Sequence, residues 1–392
     1  KEDEETTKTR KTKRLVCLVS LVYPVLFYFF VFCPFGFSRR AISMPRLRST
    51  DHTHTMKRIL TLVIALTFCL QSTWAQDPNF SQFFASPMTL NPALTGKFDG
   101  VFRVAGNYRN QWPTINNAFV TKTVSVDFSA LKNRLSDIDN LGVGVLGLTD
   151  RAGDGVLVTN YAGLSLAYHK GLDENGYHQL GAGFQGIYIN KRLDISKVDF
   201  EDELTPLGFT GVTNEIFANS QVSIGYFDLN AGLLYTGSTD GRNSFYVGAS
   251  MYHINRPKET FQGGEYLLNT RTTIQAGGKI PLGQYNFLHV SAIHSLQAKA
   301  SNTVAGMAFS YNVNQNDVDP VNVFLGAWYR MKDAAIPYFG LEFKGLHLGA
   351  SYDVNTSSLK PASNARGGME ISLIYIQRPS DSDAKKLNCP RF

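Results

Sequence analysis

The chain has 392 residues, 43% hydrophobic and 12% aromatic, with 38 Lys+Arg against 32 Asp+Glu for a formal charge of +6. That excess is local: 12 of the cations and only 5 of the acids precede residue 76, leaving 26 against 27 downstream, so the larger part carries no basic field of the kind that gathers nucleic acid. Three of the four cysteines also precede residue 76 and only Cys389 follows, which excludes an internal disulfide framework there.

Residues 1–55 contain the run Leu15 to Phe37, "LVCLVSLVYPVLFYFFVFCPFGF", long enough for a transmembrane helix although Pro24 and Pro34 interrupt it. It is either a true anchor or the product of a start of translation placed too early. The second is preferred, because Met56 opens a complete export signal of its own. Residues 56–75 form that signal: a basic Met56-Lys57-Arg58, an apolar Ile59 to Leu70, and "STWAQ", with Thr73 and Ala75 at the two positions a signal peptidase reads. Cleavage is expected after Ala75. The apolar run is too short to span a bilayer comfortably.

Residues 76–99 begin "QDPNFSQFFASPMTLNPALTG", whose apolar residues follow neither a helical nor a strand period. Pro87, Asn91 and Pro92 impose turns, while Phe80, Phe83, Phe84, Met88 and Leu90 need somewhere to bury. A short plug on the inner wall or rim of a barrel meets both demands; partner binding is the alternative.

From about residue 100 to 376 the dominant signal is period two. In "RTTIQAGGKI", Thr272, Ile274, Ala276, Gly278 and Ile280 alternate with Arg271, Thr273, Gln275, Gly277 and Lys279. In "LHLGASYD", Leu346, Leu348, Ala350 and Tyr352 oppose His347, Gly349, Ser351 and Asp353. "VNVFLGAWYR" follows the rule except that Phe324 and Trp328 fall on the polar side. Such runs are predicted at 100–110, 119–129, 141–149, 155–169, 178–191, 222–237, 243–253, 270–281, 286–296, 301–313, 320–332, 335–343, 346–355 and 366–376. Most are longer than strands of soluble proteins and match tilted strands that cross a bilayer. Their even number suits a closed outer-membrane barrel.

The connections agree. With the N-terminus in the periplasm, the long segments 192–219, 254–268 and 356–365 fall outside, while 238–242, 283–285 and 344–345 are short inner turns; 130–140 is the exception. Tyr108, Tyr168, Tyr188, Tyr235, Tyr252, Tyr329 and Tyr375 stand at strand ends, where amphipathic rings suit the headgroup level. Lys279, Arg271, Gln275, His289, Asp353 and Glu342 lie on the inner face, as a wet lumen allows. The expected fold is therefore all-β: a transmembrane antiparallel β-barrel of about 14 strands with a short irregular N-terminal plug. A soluble two-sheet sandwich is the competing architecture. Residues 377–392 are expected to be a polar periplasmic tail.

No catalytic, cofactor or metal site is assigned, and the chain is not expected to be an enzyme. His289 and His294 fall on opposite faces of one strand. Ser291 beside His289 is read as lumen lining in preference to a nucleophile. "NQNDVDP" at 314–320 and "DRAGDG" at 150–155 lack the ligand count of a calcium loop, and "GAGFQG" lies within a strand and opens no helix.

The opening stretch, together with "FRVAGNYRNQWPTI" at 102–115, resembles the PorP/SprF family of type IX secretion proteins from Bacteroidetes. Tyr108, Arg109, Gln111, Trp112 and Pro113 form the recognisable core, and the end "KKLNCPRF" at 385–392 is similar as well. The leader is the one departure. The resemblance implies an outer-membrane barrel surrounded by lipid, working with type IX components in the periplasm and outer membrane. It also implies support for export or surface attachment of particular substrates through their C-terminal regions, the adhesins of gliding motility included. No nucleic acid is implied. "YRNQWP" is a candidate lip, with Trp112 anchoring a partner and Arg109 reaching a carboxylate. Equally, Trp112 sits at the membrane interface and Arg109 in a lumen salt bridge. A passive porin or hydrophobic-compound channel, and a structural or adhesive surface barrel, remain alternative functions.

Overall fold

The computed structural model describes residues 77–115, 118–130, 138–206, 208–214, 221–261, 266–316 and 320–378. The expectations for residues 1–55 and 56–75, and for the tail beyond Arg378, lie outside them. The long strands are β1 (Phe102–Gln111), β2 (Phe119–Ala130), β3 (Asn140–Ala152), β4 (Leu157–Gly171), β5 (Gln179–Asp194), β8 (Gln221–Gly237), β9 (Ser244–Tyr252), β10 (Arg271–Leu282), β11 (Asn286–Gln297), β12 (Ala300–Asn312), β13 (Val321–Arg330), β14 (Ala334–Phe343), β15 (Leu346–Asn355) and β16 (Arg366–Gln377). Each pairs antiparallel with its neighbours, and β1 pairs with β16 along its whole length, so the sheet closes into a fourteen-stranded barrel with no free edge. β6 (Leu204–Thr205) and β7 (Gly208–Phe209) form a separate small hairpin in the longest connection.

Alternation decides which way each side chain faces. On β9, Ser244, Tyr246, Gly248, Ser250 and Tyr252 point inward and are buried, whereas Phe245, Val247, Ala249 and Met251 point outward. Outward Leu164, Phe184 and Phe227 are 68%, 69% and 69% exposed. Large apolar side chains left that bare on every wall fit lipid and not water. No helix among the described residues is long and apolar enough to cross a membrane, which says nothing about a chain that crosses with strands.

β1 begins and β16 ends at the same mouth, and the connections there include the two-residue turn 344–345, where Lys344 and Gly345 take φ of 48° and 78° as a twisted hairpin requires. The opposite mouth carries the long connections 195–220, 253–270 and 356–365. Long connections face outward in outer-membrane barrels, so the first mouth is periplasmic.

The inner face corrects two expectations. Tyr252, expected at the headgroup level, turns into the lumen and donates its hydroxyl to the Met88 carbonyl. The lumen is not simply wet. Phe324 and Trp328, which broke the apolar pattern of β13, turn inward with Ile336 and Tyr338 and form a hydrophobic cluster with Phe83, Phe84 and Leu90 of the N-terminal segment. They obey the strand period, and the lumen is locally a core.

Candidate functional site

The lumen is occupied by residues 77–98. Three short turns, Phe83–Ala85, Pro87–Leu90 and Pro92–Leu94, break this segment up. Two of them start on proline, which fixes φ and needs no donor at a first helical position. The Asn91 side chain accepts from the Ala93 amide (2.8 Å) and donates to the Leu233 carbonyl of β8 (3.0 Å). Every residue singled out as a plug candidate lies here, and Phe80, Phe83, Phe84, Pro87, Met88, Leu90, Asn91 and Pro92 are all buried. The Phe84 ring meets Trp328 and Tyr338 at centroid distances of 5.1 and 5.5 Å, and Met88 packs with Leu146, Ile187 and Ile189 on the facing wall.

Polar contacts fix the segment at three heights. Near the outer mouth, Asp77 meets His253 (2.7 Å), Arg271 (3.4 Å) and the Gln297 side chain, and its amide donates to Gln297 Oε1 (2.9 Å). His253, just past the end of β9, also faces Asp228 (3.0 Å). Burial alone would lower the His253 pKa, but Asp77 and Asp228 push it up to about 9. Burial would likewise raise the Asp77 carboxyl, yet His253 and Arg271 hold it well below the usual carboxylate range.

One turn of chain further on lies a buried clasp across the β1–β16 seam. Consecutive amides of Ser81 and Gln82 donate to the two oxygens of Glu370 (2.7 and 3.0 Å). Arg109 forks between Glu370 (3.0 Å) and Asp353 (2.7 Å), and Arg330 reaches the same Asp353 oxygen (2.8 Å). The Ser81 hydroxyl accepts from both arginines (2.5 and 2.6 Å) and donates to Asp353 (2.7 Å). Arg330 also pairs with the half-buried Asp333 at the outer edge of the group (3.1 Å). Within the clasp two cations face the two buried anions, and most polar atoms are matched, the condition under which buried charge is tolerated. Gln82 adds bonds to Ser351, Ser372 and the Glu370 carbonyl.

Near the inner mouth, Asp127 accepts from the Gly96 amide (2.7 Å) and from Arg103 through two nitrogens (3.0 and 2.7 Å), while Arg103 also reaches the Leu94 carbonyl (3.0 Å). Thr95 bonds Ser165 (2.7 Å), and Lys97 bonds Gln179. The backbone here runs against bare wall. A Cβ on Gly142 would stand 2.1 Å from the Thr95 carbonyl oxygen, and one on Gly183 would stand 2.4 Å from the Ala93 amide nitrogen. Only glycine lets the segment pass so close.

The lip candidates divide. Arg109 is fully buried inside the clasp, not at the rim, so the two motifs that stood out in sequence meet through Arg109 and Ser81. Tyr108 faces outward with the Lys122 ammonium 5.7 Å from its ring. Gln111 ends β1 against Gly368 and Phe119. Trp112 and Pro113 form the outer turn. Trp112 has φ of 54°, unusual for a bulky residue, donates its amide to the Gly367 carbonyl (2.9 Å) and rests edge-on against Phe119 (5.8 Å). Pro113 is exposed. Sequence reasoning missed Ser81, Gln82, Glu370 and Arg330. The one signal for Glu370 was a carboxylate at an inward position of β16, between Gly368 and Ser372.

The lumen keeps a cavity of about 100 Å³ at the inner mouth between Phe84, Phe98, Lys279, Phe287 and Glu342, and one of about 40 Å³ at the outer mouth beside Asp77, Tyr161 and Arg271. Ser291 Oγ accepts from the Trp328 indole (3.0 Å) and so belongs to the lumen packing. Among the described residues no group of three or more His, Cys, Asp or Glu is placed to hold a metal ion.

A family model described as type IX secretion system membrane protein PorP/SprF matches residues 72–375. No curated protein matches the chain. Among solved structures, a FadL homologue of Pseudomonas aeruginosa is similar at 11% identity and a TM-score of 0.38, covering 73% of this chain and 92% of the other. The toluene transporter TodX of Pseudomonas putida is similar at 10% identity and a TM-score of 0.44, covering 76% and 93%. BamA from Haemophilus ducreyi lacking POTRA domains 1–3 is similar at 9% identity and a TM-score of 0.36, covering 71% and 70%.

Proposed function

The chain belongs to the PorP/SprF family of type IX secretion system membrane proteins, and we propose that it acts as a plugged outer-membrane scaffold that supports export or surface attachment of particular substrates, gliding adhesins among them. The observation that carries this reading is the filled lumen. A barrel whose bore holds its own chain, tied by the Arg109–Asp353–Glu370–Arg330 clasp, is a poor diffusion path and a rigid platform. Its working surfaces are then its two rims. At the outer rim the strained, half-buried Trp112 and exposed Pro113, with the long connections around them, are the surface offered to a substrate's C-terminal region. Tyr108 and Gln111 shape that rim, and Arg109 acts beneath it as a positioning residue. The inner turns are the surface offered to periplasmic components of the machinery.

In this reading the leader 56–75 is removed after Ala75, residues 76–99 are the plug, 100–376 the barrel and 377–392 a periplasmic tail. Deleting the gene and comparing the secreted and cell-surface proteomes tests it. Selective loss of substrates bearing type IX C-terminal domains is expected, and an unchanged surface profile would end the proposal. Purified protein in planar bilayers is expected to give a closed trace. Steady conductance by the wild-type chain would favour a porin.

A further inference from the structure

The direction in which the segment is threaded has a topological consequence. It enters β1 at the periplasmic mouth, yet its far end, Asp77, is bonded to Gln297, the last residue of β11 at the outer mouth. Gln297 stands eleven residues above Asn286 on that strand. At about 3.3 Å per residue and a tilt of about 40°, this puts Asp77 about 28 Å above the inner rim. The contacts in between keep the same order: Ser81 at the outer ends of β13 and β15, Asn91 between β8 and β9 at mid-height, and Thr95 to Lys97 on the inner halves of β2, β4 and β5. The segment therefore climbs the whole bore.

We infer that the mature amino terminus faces the cell exterior through the outer mouth, and that removal of the leader must precede seating of the segment. The apolar run of the leader ends at Leu70, six residues before Gln76 is passed. Six residues reach about 20 Å when fully extended, less than the height of the bore. A chain still held by that run in the cytoplasmic membrane cannot place Asp77 against His253, Arg271 and Gln297, because the tether does not extend even to the inner rim. Processing therefore comes first, the freed end threads upward, and the barrel is completed around it. The order also explains why the clasp spans the closing seam: Ser81 and Gln82 bond Glu370 and Ser372 of β16, and Arg109 of β1 bonds Ser81. The inference rests on processing after Ala75 and is independent of which substrate the barrel serves.

The test is labelling of intact cells with a membrane-impermeant thiol reagent in a Cys389→Ser background. A Ser-Gly-Cys extension placed immediately before Gln76 is expected to label from outside like Lys332→Cys on an exposed outer turn, at least tenfold above Gln284→Cys on an inner turn. Pro78→Cys, which lines the outer cavity and leaves the end of the chain unaltered, is expected to follow the same pattern with a small charged reagent. Labelling of both only after the outer membrane is permeabilised would overturn the inference. Amino-terminal sequencing reports the processing step separately, and a folded outer-membrane chain that keeps residues 59–70 would also overturn it. Neither result bears on substrate display, which the proteome comparison measures.

Discussion

Replacing Arg109 with Met keeps an unbranched apolar stem and removes the guanidinium at the centre of the clasp. Breaking a buried ion pair from one side typically costs about 3 to 5 kcal/mol, because the partner is left uncompensated. The low end applies here. Glu370 would keep the amides of Ser81 and Gln82 and the Asn107 side chain, and Asp353 would keep Arg330 and the Ser81 hydroxyl. A cost of about 3 kcal/mol corresponds to roughly a 160-fold larger population with the outer half of the segment released. In planar bilayers Arg109→Met should turn a closed trace into one with frequent openings, and the urea midpoint of the folded barrel in detergent should fall. Arg109→Lys should lie between, since one ammonium cannot fork to Asp353 and Glu370 together. If Arg109→Met conducts and unfolds like wild type while substrate display is lost, Arg109 acts on a partner, and the clasp does not hold the segment.

Phe84→Ala should destabilise the barrel by about 3 to 5 kcal/mol, read as a lowered urea midpoint, because it opens a cavity against Trp328 and Tyr338. Gly142→Ala should lower the midpoint and raise leak conductance, since the new methyl would stand 2.1 Å from the Thr95 carbonyl oxygen, with backbone on both sides. The outer tie should weaken with alkali. His253 is raised from 6.5 to about 9, so its contribution is complete below 6.5 and lost as pH rises through 9; depressed Asp77 loses its share only in strong acid, below its ordinary 3.8. Openings should therefore grow between pH 6.5 and 10, and His253→Gln should flatten that dependence. Trp112→Ala should leave the unfolding free energy from urea titration within about 1 kcal/mol of wild type and selectively reduce substrate display; undiminished display would remove the rim from the proposal.

Period two made the barrel legible because each strand states its own two faces. The run foreseen at 222–237 is observed as Gln221–Gly237, and that at 346–355 as Leu346–Asn355. Ends slipped where polar residues carry a strand beyond the apolar band, as at β3, which continues through Thr149, Asp150 and Arg151 to Ala152. The irregular opening segment was legible as buried, since its prolines forbid a strand while its aromatics forbid solvent. Its partners were not. Ser81 and Asp353 are 272 residues apart, and nothing local to either announces the other. The small β6–β7 hairpin has two residues per strand, too few for a period. Phe324 and Trp328 read as errors of pattern only while the lumen was assumed to hold water.

The placement of charge inside the barrel follows from that same segment. A chain with no strand and only single helical turns leaves amides without partners, and buried amides must be satisfied. The amides of Ser81 and Gln82 point at Glu370, and that of Gly96 points at Asp127. A carboxylate accepts such donors well but is costly to bury alone. Each is accompanied by a cation: Arg109 and Arg330 around Glu370 and Asp353, Arg103 beside Asp127. Each cation also donates to the segment, Arg109 and Arg330 to the Ser81 hydroxyl and Arg103 to the Leu94 carbonyl. On this account the arginine of "YRNQWP" is required by the backbone of "FSQFF" lying against it. A barrel stripped of residues 77–99 would keep Asp127, Asp353 and Glu370 with fewer donors, and its loss of stability should exceed the loss of apolar contacts alone. Neutralising Glu370 as Gln in the stripped barrel should then recover stability, whereas the same Glu370→Gln change should destabilise the complete chain. Equal effects in both backgrounds would show that the charges serve the wall and not the segment.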